Sequence, residues 1–457
     1  MKNREFYLPL ILVVAAFVVL FPILGNELLR AWDDYWMVVN SYTQPNFAWD
    51  NLVSIFTDTP NGQYGPVNQL CYTTIHFICS YNPLGYHLFS LLVHSGNVLL
   101  VYLLIDRLLT AKKETASCLA VTEQPATASE HLAVKEQLVT SDPLADRGKR
   151  KVVAFFTALL LAVHPMSVES VAWVSASKVL LFSFFTLSAM LTYLHFLQNG
   201  KRRNYIFTFG LFVLACGSKE QAVTLPFGLL LIDLMLKRNF KSRNVWVEKL
   251  PFLLFAIAFG LFTTTLQDPE LITNRAGYPL IQRIPLACYA LTEYIVKLLI
   301  PYKLLYLYPF PMPPGDALPL RFWLYLGLIP FLIGGLWHYR KNWPLVFGVL
   351  FFLLNIALTI HIAPMSRYAL VADRYVYLPS VGIFFIFVWY SVHYLNSKIS
   401  MKLKWIYIPV IFYFLYLGIY AHQRTYVWHD SSTLKQEMRD LIQERNLIEN
   451  VENDIYE

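Results

Sequence analysis

The sequence predicts an all-α, polytopic membrane protein, and three observations carry that prediction. Charged residues make up 15% of the 457-residue chain, where a soluble globular protein averages roughly 25%. The hydrophobic residues, 56% of the total, gather into long runs, and mean hydropathy is +0.45, as expected when lipid is the solvent. Lys and Arg collect in short loops between those runs, where they set membrane topology. The net charge of +7 is therefore no nucleic-acid footprint, and the 16% aromatic content suits rings placed at membrane interfaces.

The first run, 6–25, follows a short charged start. It is longer than the 7–15 residues of a signal-peptide core and lacks a small-residue cleavage site, so it is expected to stay as an anchor. The segment 26–85 has one Arg, no Lys and five acidic residues, whereas 201–203, 237–249, 340–341 and 398–404 are basic. The positive-inside rule places the basic loops in the cytoplasm and 26–85 outside. Further spans fall near 86–108, 152–164, 173–197, 204–218, 221–236, 250–266, 321–338, 344–362, 379–396 and 405–421. With the first run they make about eleven, with the N-terminus cytoplasmic and the C-terminus external. The apolar run 282–300 carries Glu293 and Lys297 four apart, a pair suited to a helix lying at the interface, and it is read as interfacial or re-entrant. Residues 1–421 thus form the membrane domain. The Ala-, Thr-, Ser-, Glu- and Lys-rich stretch 111–150 reads as a disordered cytoplasmic loop. Residues 422–457 read as an external polar tail, with Asp430 or Ser431 able to cap a helix from Thr433. The five cysteines have no metal-ligand spacing, and Cys71 and Cys79 lie too far apart on one helix for a disulfide.

Three clusters carry possible chemistry. From Lys151 to His164 a helix rises roughly 20 Å, and from Arg203 to Lys219 roughly 24 Å, both short of a hydrocarbon core of about 30 Å. The turns after them would set His164, Glu169, Lys178, Lys219 and Glu220 in a depression open to the outside. Ionisable groups at such depth point to function, although a Lys219–Glu169 pair could serve packing alone. Adjacent carboxylates at Asp33 and Asp34, between Trp32 and Tyr35, can take a proton from a hydroxyl or together hold a divalent cation. They can equally be a solvated helix cap. In the third cluster, Arg367 through Pro379, Arg374 can hold a phosphate bidentately between Tyr375 and Tyr377. The rival reading is an Asp373–Arg374 pair that anchors the helix. A carboxylate base with cations for a leaving phosphate fits transfer of a sugar from a lipid phosphate to a hydroxyl.

Five short motifs, in order, resemble the transmembrane and tetratricopeptide-repeat O-mannosyltransferase family of GT-C glycosyltransferases, particularly its bacterial relatives. They are Trp32-Asp33-Asp34; Asn82 to His87, with His94 following; His164 to Trp173; Ser218 to Pro226, with Asp233; and Ala372 to Tyr377. The resemblance implies a GT-C fold in a bacterial inner membrane, a polyprenyl-phosphate sugar as donor, mannose above all, and a protein Ser/Thr or glycan acceptor. It implies Asp33 as the catalytic carboxylate with Asp34 as acidic neighbour, Arg374 and Lys219 at the donor phosphate, and His87, His164, Glu169, Lys178, Glu220, Asp373, Tyr375 and Tyr377 in support. No cofactor beyond the donor is required, and a divalent metal is compatible. The chain departs from the family at Gly65, where Arg or His is common before Pro66. It departs again at Ser177 and Val179, with Lys178 a potential substitute for a missing Arg, and in lacking the repeat array. A lipid or solute transporter and a non-catalytic membrane protein are the competing readings. Transporters commonly show inverted repeats, and no internal symmetry is evident in this chain.

The topology can be checked with single cysteines in a background lacking the native five. An impermeant thiol reagent applied to intact cells should label positions in 26–85, 363–378 and the C-terminal tail and spare 111–150. The opposite pattern would invert the orientation.

Overall fold

The computed structural model describes residues 2–44, 47–122, 147–266, 278–306, 308–313, 315–362, 369–398, 407–440 and 443. Arg367, Tyr368 and the middle of the expected 111–150 loop lie outside the described residues. Apart from one pair of short strands, the regular structure is helical.

Helix α1 (Lys2–Leu20) is followed by three short helices, α2 (Asp34–Met37), α3 (Trp49–Thr57) and α4 (Pro66–Cys79), which occupy the acidic segment. Helix α5 runs from Pro83 to Thr122, about 60 Å at 1.5 Å per residue. The sequence-based loop boundary at residue 111 is therefore wrong: the helix continues through Thr122, and Arg147–Lys151 already belong to α6 (Arg147–Val163). Ala, Glu and Lys are strong helix formers, so a polar composition alone does not end a helix. Lys112 helps hold the extension, its ammonium donating to the Met235 carbonyl.

Pro165 bends the chain by 60° after α6, since proline cannot continue the hydrogen-bond ladder. A 3-10 turn (Pro165–Ser167), α7 (Val168–Ala172) and a second turn (Val174–Ala176) lead into α8 (Ser177–Asn199). Gly200 then takes a left-handed φ of 65° and donates to Phe196, the usual glycine stop, and α9 (Arg202–Ser218) returns antiparallel against α8. After a 3-10 turn (Glu220–Thr224) come α10 (Leu225–Met235), α11 (Arg243–Thr265) and α12 (Leu280–Leu299). Next are β1 (Tyr308–Pro309), α13 (Leu320–Trp323), α14 (Leu328–His338), α15 (Trp343–Ile356), β2 (Ala369–Val371), α16 (Ser380–Lys398), α17 (Tyr407–Arg424) and a tail helix over 431–440. The span expected at 344–362 stops at Ile356, and α10 begins four residues later than expected.

Among the described residues, five helices are long and apolar enough to cross a membrane, or six if the bent pair around Pro165 counts as one span. Only 17% of the apolar window in α11 and 6% of that in 320–338 is buried within the protein. Such outward-facing apolar surface is what lipid covers. The buried interior lies between α5, α6, α8 and α9, with α1, α16 and α17 against α6. Helix α12 carries a polar contact near each of its ends. Near its start Gln282 donates to the Asp316 carbonyl, and near its finish Lys297 donates to the Tyr302 carbonyl. Lys297 also pairs with Glu293 at 3.7 Å.

Helices α15 and α16 touch backbone to backbone at Gly348 and Gly382. A Cβ on Gly382 would collide with the Gly348 carbonyl and meet the Phe352 nitrogen at 3.0 Å. Close approach through small residues is a common way for membrane helices to pack. Gly382→Leu should destabilise by the roughly 1–3 kcal/mol of an overpacked core, or more because the obstacle is backbone. A lower melting temperature in detergent is the readout, and an unchanged one would contradict the contact.

Candidate functional site

The turns at 26–44, 164–177, 218–224, 369–378 and 425–434 meet at the end of the bundle opposite the basic loops. Apart from His87, which lies in α5, each chemical side chain predicted from sequence sits on one of them or on the adjoining first turn of a helix. The residues fall into three groups: a carboxylate clasp, a cation pair around Tyr375, and a polar cleft.

The clasp is Asp34. Its side chain is fully buried. One oxygen accepts from the Ser175 backbone N–H at 2.9 Å and from the Ser175 hydroxyl. The other accepts from the Leu29 N–H at 2.8 Å. Burial pushes the carboxyl up to about 6, against the pull of those three donors. Asp34 thus ties the first loop to the turn before α8 and leaves no oxygen facing a substrate. Asp33 differs. It is half-buried and accepts from the Trp36 indole at 3.2 Å, so the two adjacent carboxylates do not act as one pair.

The cation pair surrounds Tyr375. The Arg374 guanidinium lies 4.8 Å from the Tyr375 ring and 5.1 Å from the Trp173 ring, and the Lys219 ammonium lies 5.9 Å from Tyr375. Glu169 accepts from the Arg374 backbone at 2.8 Å and from its guanidinium. Both rival sequence readings named other partners. Arg374 is paired with Glu169, not Asp373, and the Glu169 partner is Arg374. Asp373 instead accepts from Tyr308 at 3.1 Å, which the β1–β2 pair brings alongside. Burial first, then the Glu169 carboxylate, pushes the Asp373 carboxyl above the usual range.

Tyr377 does not frame Arg374. Its hydroxyl turns into the bundle, 2.7 Å from His94 Nδ1, and accepts from Asn97. One helical turn carries successive side chains to different faces, and the sequence pattern Tyr-Val-Tyr conceals this. His87 is buried in α5 beside the Glu27 backbone. His164 accepts from the Met166 N–H at 3.2 Å, capping the turn after Pro165. The remaining ring nitrogen of His164, Nε2, is buried with no hydrogen-bond partner among the described residues.

The cleft holds the remaining two predicted residues, Lys178 and Glu220, with Trp36, Gln63, Asn68 and Gly65 among its walls. Lys178 donates to Gln63 at 2.9 Å, and Asn68 donates to the Ser218 carbonyl at 2.7 Å. A cavity of about 50 Å³ has room for a few waters, since one needs at least about 10–15 Å³. Gly65, the position of the departure noted from sequence, thus lines the same space as Lys178. Among the described residues no three His, Cys, Asp or Glu converge as a metal site.

Sequence reasoning missed the aromatic wall. Trp428 stacks on Trp173 at 5.6 Å and 17°, and Tyr306 contacts both Trp428 and Trp32. The indole N–H groups of Trp32, Trp173 and Trp428 are buried with no acceptor among the described residues. The only sequence signal was aromatic abundance, and no spacing rule joins residues so far apart. The tail helix is docked here too. Asp430 caps it through Ser432 and Thr433, as anticipated, and Arg424 pairs with Glu437 at 2.7 Å.

Comparison of the chain with protein-family models, curated proteins and solved structures gave no match.

The Asp34 carboxyl, raised to about 6, binds its proton more tightly folded than unfolded, where the value is about 3.9. Its contribution to stability is therefore full below about pH 4 and lost as pH rises towards about 6. The melting-temperature difference between wild type and Asp34→Asn should shift against wild type over that window. A difference independent of pH would show that this carboxyl does not titrate there.

Proposed function

We propose that the chain is an integral-membrane glycosyltransferase. It moves a sugar, mannose on the resemblance, from a polyprenyl-phosphate carrier to a hydroxyl acceptor on a protein Ser/Thr or a glycan, at the face opposite the basic loops. The observation that supports this reading is convergence. Motifs scattered through most of the chain come together at one end, and two cations, Lys219 and Arg374, approach one tyrosine ring. Those are the residue types that a leaving phosphate requires.

On this reading about eleven spans form a GT-C arrangement in a bacterial inner membrane, with the N-terminus cytoplasmic and the C-terminus external. Helix α10, of 11 residues, rises only about 16 Å against a core of about 30 Å. The turn that carries Lys219 and Glu220 then lies below the membrane surface, where a headgroup can descend to it. Asp33 is the base, since Asp34 is consumed by its three donors. It takes the proton of the acceptor hydroxyl as that oxygen bonds to the anomeric carbon. The bond from that carbon to the phosphate oxygen breaks, and the phosphate leaves with its negative charge held by Arg374 and Lys219. Tyr375 and Trp173 keep the guanidinium planar to the site. Substrate entry requires the cleft at Lys178 to widen, because about 50 Å³ admits no sugar.

One observation favours a non-catalytic protein instead. Arg374 is already satisfied by Glu169, as a purely structural cation would be. Two measurements separate the readings. Addition of polyprenyl phosphate should raise the melting temperature of wild type, and Arg374→Ala should abolish that shift, with Arg374→Lys failing to restore it because ammonium lacks the planar fork. Asp33→Asn should keep the fold and the shift, and lose about 10²-fold or more in turnover. Stabilisation that survives both Arg374→Ala and Lys219→Ala would move the phosphate elsewhere, and normal turnover by Asp33→Asn would remove it from the chemistry.

A further inference from the structure

Helix α3, nine residues long, has its polarity arranged inside out. At about 100° per residue, Asn51, Ser54, Ile55 and the following Asp58 turn towards the protein, and Trp49, Val53 and Phe56 turn away from it. The inward sector is mostly polar. Asn51 is buried and donates to the Tyr42 carbonyl at 2.7 Å, and Asp58 accepts from the Tyr42 hydroxyl at 3.1 Å. Ser54, Ile55 and Asp58 help wall the polar cleft. The outward sector is apolar, and all three of its side chains are exposed, Trp49 at 76%. A helix between a core and water has the reverse order, with its apolar stripe inward. Asp50 and Thr57, also exposed, form a polar edge between the two sectors. One sector for protein, one for an apolar medium and one edge for water describe a helix lying in the plane of a membrane interface.

The neighbours of α3 place it at that level. Ser218, which shares the cleft with α3, ends α9 (Arg202–Ser218), a rise of about 24 Å from Arg202 against a hydrocarbon core of about 30 Å. On one side, the chain after α3 rests on α11, a helix long and apolar enough to cross. There Tyr64 meets Phe262 edge-on at 5.1 Å and donates to the Phe56 carbonyl at 3.2 Å. Phe262 stands about 28 Å along α11 from Arg243. On the other side, Phe47 meets Phe77 edge-on at 5.7 Å. Phe77 and Ile78 are exposed at the end of α4, just before α5, a second helix able to cross. Leu261 of α11 and Leu84 and Leu88 of α5 are exposed as well, so the apolar face of α3 continues the outward faces of both helices.

We propose that α3 is bedded in the membrane interface at this end of the bundle, with Trp49, Val53 and Phe56 among the lipid chains and Asp50 and Thr57 at the water edge. The contact is apolar and not electrostatic, since α3 carries no basic residue. One wall of the polar cleft is therefore carried by a helix seated in the bilayer. The inference is independent of the proposed reaction.

The test introduces the photoreactive residue p-benzoylphenylalanine singly at Trp49, Val53 or Phe56 of the full chain, reconstituted in phosphatidylcholine or phosphatidylglycerol vesicles. Phe331, exposed on the apolar helix α14, and Gln436, exposed on the tail helix, are the lipid and water controls. All five positions are exposed, so the variants should keep the wild-type melting temperature. After irradiation, intact-mass spectrometry should find adducts of one lipid mass at 49, 53 and 56, as at 331, and none at 436. The yield should be the same in both lipids and should fall when the photoreactive residue is moved to Asp50. Loss of lipid adducts at 49, 53 and 56 while 331 still forms them would overturn the proposal and turn this face to water. Cross-linked dimers in their place would assign the face to a second copy of the chain. Adducts confined to phosphatidylglycerol would also contradict it, because they would show headgroup attraction without a seated helix.

Discussion

The Glu169 carboxylate joins the turn after Pro165 to the turn before α16, by accepting from both the backbone and the guanidinium of Arg374. The position is nearly closed to solvent, at 2% exposure for Glu169 and 16% for Arg374. Two charges taken out of water gain little net stability together. Removing either one, however, leaves the other buried and uncompensated, at a cost of about 3–5 kcal/mol. Much of the surrounding architecture follows from this constraint. The bend at Pro165 aims α7 at the pair, and Trp173 at its end packs on the guanidinium. Trp428 stacks on Trp173 and so brings in the tail helix. Tyr375 lies over the same guanidinium and carries Lys219 to its other neighbour.

Charge pairing recurs at the basic end, with a different result. Asp233 and Lys249 are both fully buried and lie 2.5 Å apart, while Arg238 bridges Asp233 and Glu248. Tyr193 donates to Asp233 at 2.8 Å. Here every charge has an opposite partner, and the network fastens α8, α10 and α11 to one another. At the other end the carboxylates and cations are spread among aromatic rings, buried indole N–H groups lack acceptors, and a polar cleft opens beside them. On the proposed reading, that asymmetry distinguishes the candidate site at one end from the structural joint at the other.

The helices were legible in the sequence because lipid imposes a simple rule: backbone polar groups must be satisfied internally, so apolar runs become helices. The Glu293–Lys297 pair was legible from its i, i+4 spacing, and the tail cap from Asp430. The end of α5 was not, because helix propensity and hydropathy part company beyond residue 111. At the site, the residue types were legible and their partners were not. Asp33 and Asp34 are neighbours in sequence, yet one faces Trp36 and the other faces Ser175, 141 positions away. Asp373 and Arg374 are likewise adjacent and turn to Tyr308 and Glu169. Tight turns send consecutive side chains in different directions, and long-range partners carry no local pattern. Tyr377 and the aromatic wall were misjudged or missed for the same reason.

The central claim is that the charged end handles a phosphate-linked sugar. Its most direct test is incubation of the purified chain with radiolabelled polyprenyl-phosphate mannose and a library of hydroxyl acceptors, with label followed into the acceptor and polyprenyl phosphate followed as product. The account predicts stoichiometric appearance of both. Donor that stays intact with every acceptor, in protein that is folded and binds polyprenyl phosphate, would contradict it.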